Sequence, residues 1–166
     1  MEELAELRNY IQSERYAEAL LLIDELEEMS QEDKLNKIHS HAIILLLHLI
    51  KQHAEQRSSR SWEFSIAIAI HQITRINKRR KSGGHYADEA LLRESLQEAF
   101  PIALKRASLE AFEGKFDELE LEAKINKDQI LENAFSLLQQ IRDYARKFES
   151  FESASNSAFK LLKGTQ

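Results

Sequence analysis

The chain has 166 residues, 43% of them apolar and 31% charged, with a net charge of −5, one proline, four glycines and no cysteine. That length suits one domain with a sizeable core; so few turn formers argue against a β-sandwich or barrel, and the missing cysteines exclude disulfides and thiolate metal sites. The longest apolar stretch, Ala42 to Ile50 with His48 included, is nine residues and too short for a bilayer span, and the start Met1-Glu2-Glu3-Leu4 is acidic where a secretory signal would be basic, so a cytoplasmic protein with no membrane segment is expected.

Leu4, Leu7, Tyr10 and Ile11, at three-and-four spacing, predict a first helix over residues 2–13, followed by a short break at Ser13-Glu14. A second helix is expected over about 15–29, with Ala19, Leu22, Ile23 and Leu26 as its apolar stripe. The pair is similar to a tetratricopeptide unit, but no second copy follows at the expected period, which argues against a solenoid. Ser30, in Ser-Gln-Glu-Asp, is placed to cap a third helix over 31–56. From Ala42 to Ile50 that helix is apolar nearly all round, so neighbours must cover it on several sides; it is the expected central helix.

A fourth helix is expected from about Ser61 to Lys81. Ile66-Ala67-Ile68-Ala69-Ile70 alternates like a strand, yet Trp62, Ile66, Ala69, Ile70, Ile73 and Ile76 follow a helical stripe and alanine favours helix. Basic residues and Ser82-Gly83-Gly84 are its stop signals. A fifth helix spans about 87–113 with Gly114 as terminator, and Pro101 predicts a kink or break around residues 97–100 because it removes a backbone hydrogen bond. After a short piece near 116–121, Asn126 is placed to cap a last long helix. On it Ile130, Ala134, Leu137, Ile141, Tyr144, Phe148 and Phe151 form a heptad seam. The expected fold is all-α: a single-domain bundle of five to six helices around a long central helix, with the bundle over 1–138 and a C-terminal helical extension over 139–166.

Several stretches also carry a resemblance: Glu25-Leu26-Glu27-Glu28-Met29 before the central helix, Leu46-Leu47-His48-Leu49-Ile50-Lys51 within it, Arg60-Ser61-Trp62 after it, and residues 91–107 behind a helix that ends in a basic stretch. In that order, from about Leu4 to Phe135, the chain resembles the bacterial, largely cyanobacterial family known as domain of unknown function number twenty-nine. The resemblance implies a helical bundle and supplies no activity. Gln52 departs from it, standing where the family usually shows a tryptophan after the lysine.

Charge is strongly segregated: net −9 over residues 1–33, +8 over 34–81, −6 over 82–123 and +2 over 124–166. Such blocks complement one another within the fold or build an anion-binding face. His41, His48 and Glu55 fall seven apart on one helical face with Lys51 beside them, a stripe that either lines a cleft or packs against a neighbouring helix. His41 and His48 stand about 10 Å apart, too far to share a metal ion. No His pair has four-residue spacing and no HExxH occurs, so no metal and no cofactor are expected.

Arg57, Arg60, Ser61 and Trp62 make a corner between helices three and four. Ser61 is its candidate cap, and the indole N–H is expected to bond a carbonyl. The alternative is an anion site formed with His48 and Lys51. The basic run Arg75, Lys78, Arg79, Arg80 and Lys81 suits nucleic acid or an acidic protein surface, though it lacks interleaved aromatics and the chain as a whole is acidic, with a pI near 5.7. Arg80 and His85 match the Arg-x4-His spacing of HEPN ribonucleases and are the catalytic candidates. The expected role is a non-enzymatic protein–protein interaction or scaffold module, self-associating through a seam of Ile141, Tyr144, Phe148 and Phe151. The alternative is an RNA-binding protein or HEPN-like ribonuclease using the basic loop.

Overall fold

The computed structural model describes residues 2–79 and 83–141. Over those residues it contains six α-helices and no strand: α1 (Glu2–Gln12), α2 (Tyr16–Glu55), α3 (Arg60–Asn77), α4 (Glu89–Glu110), α5 (Glu118–Glu122) and α6 (residues 127–141), with a 3-10 turn at Ala111–Gly114 after α4. The all-α bundle expected from the sequence is therefore present. The seam residues Tyr144, Phe148 and Phe151 lie outside the described residues.

The chief correction concerns α2. The second and third expected helices are one helix of 40 residues, about 60 Å long, and Ser30 caps nothing. Ser-Gln-Glu-Asp is good cap chemistry, but a cap residue marks a boundary only where something stops the preceding helix. Between Tyr16 and Glu55 there is no glycine or proline, and the Glu, Leu, Met and Gln residues around Ser30 all favour helix. Interruptions do occur on either side. Glu14 takes a left-handed backbone (φ 58°), letting the Arg15 N–H reach back to the Tyr10 carbonyl at 2.8 Å, and Gln56 (φ 53°) ends α2 in the same way.

The second half of α2 carries nearly all of its buried residues. Among its residues Ala19 is buried, then none until Ile38, after which Ala42, Leu45, Leu46, Leu47, Leu49 and Ile50 all are. α3 returns along this half after a short link, and α4 runs back alongside; Gln31 reaches the Tyr86 carbonyl at the α3–α4 loop (3.5 Å), and Lys51 reaches Glu110 at the far end of α4 (2.7 Å). Ile66, Ile70, Ile73, Leu92, Leu96, Phe100 and Leu104 complete the core, joined from the C-terminal side by Leu121, Ile130, Ala134 and Leu138. Ile130 and Ala134 of the expected seam are thus spent inside the domain, whereas Ile141 is 40% exposed.

α3 ends at Asn77, not Lys81. The Asn77 side chain donates to the Ala87 carbonyl (3.0 Å) and accepts from the Ala87 N–H (2.7 Å), while Tyr86 N–H bonds the Asn77 carbonyl (2.9 Å). This clasp folds the chain back, with Lys78 and His85 paired as an antiparallel bridge, so His85 lies in a loop. α4 passes through Pro101 without a break. Phe100 and Ala103, packed in the core on either side of it, hold the helix although the proline supplies no N–H.

α4 stops at Glu110 rather than at the expected 113, and a 3-10 turn with left-handed Phe112 and Glu113 carries the chain on to Gly114. Its φ is +74°, and a Cβ built there would lie 3.0 Å from the Leu109 carbonyl oxygen. Gly114→Ala is therefore expected to lower stability by about 1–3 kcal/mol, read as a fall in the chemical-denaturation midpoint. Asn126 caps α6 by accepting the Gln129 N–H at 3.1 Å, and its own N–H donates to His53 Nε2 at 3.2 Å, tying α6 to the end of α2.

Candidate functional site

Two places on the molecule hold unusual chemistry: the corner where α2 meets α3, and the arm formed by α1 with the first half of α2.

At the corner, Lys51 is 7% exposed although it carries a charge. A lysine stays ionised out of water only if a partner replaces its hydration. Here its Nζ donates to Glu110 Oε2 at 2.7 Å and stands 4.6 Å from the centre of the Trp62 ring. Arg57 also meets that ring, at 4.5 Å, and pairs with Glu55 at 3.3 Å. Two cations, two carboxylates and one indole therefore close a charge-balanced cluster, and an incoming anion would have to displace Glu110 or Glu55. The serine that caps α3 is Ser59, accepting the Trp62 N–H at 3.2 Å, and not Ser61: Ser59 has the extended backbone a cap needs, whereas Ser61 is already inside the helix. The expected carbonyl partner of the indole N–H is not found among the described residues; the ring instead meets the Lys51 and Arg57 cations. Gln52 ties the same corner by donating to Ser58 Oγ at 2.7 Å. Arg60 is exposed, with no ion-pair partner among the described residues.

His48, one turn before Lys51, is half-buried, and its Nδ1 is enclosed without a hydrogen-bond partner among the described residues. Burial holds the imidazole below its ordinary value of 6.5, the positive charge of Lys51 pushes the same way, and Glu110 opposes them. A histidine whose folded-state value is depressed binds its proton more readily unfolded, so its contribution to stability is complete above the unfolded value and is lost as pH falls through that value towards the folded one. The denaturation midpoint is expected to drop between pH 7 and pH 5, and His48→Leu to flatten that drop. An equally steep profile in the variant would assign the titration elsewhere.

The basic run is split. Arg75 is exposed on α3, Lys78 and Arg79 belong to the loop, and Arg80 and Lys81 lie outside the described residues. The Arg79 guanidinium lies 5.1 Å from the Tyr86 ring, and its Nε is buried without a partner among the described residues. Between this side and the first half of α2 runs an open groove of about 1050 Å³; Asp24, Glu25 and Glu28 line one wall, and Arg75, Lys78 and Arg79 the other. The charge blocks seen in the sequence thus face each other across the groove.

The arm was not legible as a site. α1 buries no residue, and on the arm Leu4, Ile11, Tyr16, Leu20, Leu21 and Met29 are 49–64% exposed. A signal existed: Ala19-Leu20-Leu21-Leu22-Ile23 is apolar on more sides than one packing face needs. Glu110 was missed too, since it meets Lys51 from 59 residues away.

Among the described residues no group of three or more His, Asp or Glu is placed to hold a metal ion, and no helix is long and apolar enough to cross a membrane. A family model described as domain of unknown function DUF29 matches residues 3–136. No curated protein matches the chain, and no solved structure does.

Proposed function

The chain belongs to the family described as domain of unknown function DUF29, and since that membership carries no activity we propose from its own surface that it is a non-enzymatic interaction module which self-associates through its N-terminal arm. The observation that supports this is the uncovered arm itself. Residues 16–30 of α2, about 22 Å, bury only Ala19; α1 packs against this helix, and the open groove separates the stretch from the end of α3. Tyr16, Leu20 and Ile23, on one helical face, remain in water at 59%, 61% and 37% exposure. Apolar surface of that kind on a helix is what protein interfaces are made from. The seam over Ile141, Tyr144, Phe148 and Phe151 was the sequence-based candidate for the same role, but Ile130 and Ala134 at its start already serve the domain's own core.

Sedimentation equilibrium of the full chain from micromolar to millimolar concentration tests the proposal. The expected result is a species of at least twice the 19.3 kDa chain mass, reduced by Leu20→Ser/Ile23→Ser and unaffected by Phe148→Ser/Phe151→Ser. A monomer at every concentration overturns it. Salt-dependent retention of a mixed RNA pool, lost in Arg75→Ala/Arg79→Ala, would instead favour the RNA-binding reading of the groove's basic wall.

A further inference from the structure

We infer that the arm of one copy docks on the outer face of α3 of a second copy. The inference rests on the self-association proposed above and adds its receptor.

α3 has a second face that the bundle does not use. Its inner face buries Ile66, Ala69, Ile70 and Ile73. On the opposite side Phe64 and Ile68 are 68% and 44% exposed, on the same helical face as Arg60, His71 and Arg75, which are exposed as well. Phe64 is thus among the most exposed large apolar residues described, on a helix whose other side is fully packed. Arg60 and Arg75, which frame the two apolar residues, have no ion-pair partner among the described residues.

The arm matches this face in length and opposes it in sign. Its stripe reads Tyr16, Leu20, Ile23, Glu27, and residues 1–33 hold 11 acidic side chains against 2 basic ones. The exposed stretch of α2, about 22 Å, and α3, about 27 Å, are matched in length. Laid antiparallel, Leu20 and Ile23 cover Ile68 and Phe64 and Glu27 comes opposite Arg60; laid parallel, Glu27 comes beside His71 and Arg75. A basic partner is therefore met either way, whereas two arms face to face would bring net −9 against net −9. Because every chain carries both an arm and a receptor face, the contact is made twice if two chains close on a two-fold axis, and propagates as a filament if they do not.

The test uses two full-length variants, Leu20→Ser/Ile23→Ser on the arm and Phe64→Ser/Ile68→Ser on the face. All four residues are exposed, so the thermal midpoint should not fall, and circular dichroism checks this. In sedimentation equilibrium each variant alone is expected to associate about 100-fold more weakly than the wild type. Mixed in equal amounts they are expected to recover a heterodimer, because an intact arm then meets an intact face, and raising the salt should weaken wild-type association. Loss of association in the arm variant with none in the face variant leaves the proposed function standing and overturns the α3 receptor in favour of arm-to-arm contact. Wild-type association in both variants overturns both statements, as does a wild-type chain that stays monomeric.

Discussion

Phe100→Ala is expected to remove about 3–5 kcal/mol of stability, a large part of the 5–15 kcal/mol that holds an average domain folded. Phe100 is 1% exposed and the bulkiest of the fully buried side chains. It sits on α4 in the apolar cluster that joins α2, α3, α4 and α6, with the Lys127 ammonium of α6 5.2 Å from its ring centre. Truncation leaves a ring-sized cavity that such a wall of packed helices cannot close. Urea denaturation of the variant should show the midpoint shift, while Leu109→Ala, at a position 75% exposed on the same helix, should leave it nearly unchanged. Equal effects at the two positions would mean that α4 does not turn Phe100 into the core and Leu109 to solvent.

Asn77→Ala is expected to cost about 2–4 kcal/mol, from a smaller side chain and a different cause. Asn77 is 3% exposed, and its amide closes a two-way hydrogen bond with the Ala87 backbone, itself fully buried. Alanine leaves one buried N–H and one buried C=O unpaired, and each unpaired group costs roughly 1–3 kcal/mol. Asn77→Asp retains the acceptor but not the donor, so it should recover only part of the loss. Hydrogen exchange should show the Ala87 and Tyr86 amides losing protection first, since both are held by Asn77. If Asn77→Ala unfolds like the wild type, the clasp does not hold the loop.

The parts of the fold written by local chemistry were legible in the sequence. The run from Ala42 to Ile50 is apolar on every side, and a helix of that kind has to be central. Glu14 and Asn126 each work within a few residues, as a left-handed turn and a cap. Other local signals were ambiguous. Ser30 has cap chemistry with no break beside it, and Ser58, Ser59 and Ser61 are chemically alike; the extended backbone at Ser59 is what makes it the cap.

Long-range pairings were out of reach. Lys51 and the Arg57–Trp62 corner were singled out from the sequence and the structure brings them together, but it is Glu110, from α4, that turns the corner into a closed charge-balanced cluster. A helical stripe such as Leu20 and Ile23 likewise announces an apolar face without saying whether anything covers it. Exposure is a property of the packed molecule, and only the structure shows that the apolar residues of the arm and of the outer face of α3 are left in water.

The absence of cysteine from the chain allows the most direct test of that contact. Leu20→Cys and Phe64→Cys, each as a single variant of the full chain, can be treated with a short bis-maleimide, separately and mixed. Arm-to-face docking predicts a cross-linked dimer in the mixture and little in either variant alone. A cross-linked Leu20→Cys dimer formed equally well without the other variant, or no cross-link in the mixture at concentrations where the wild type associates, would contradict it.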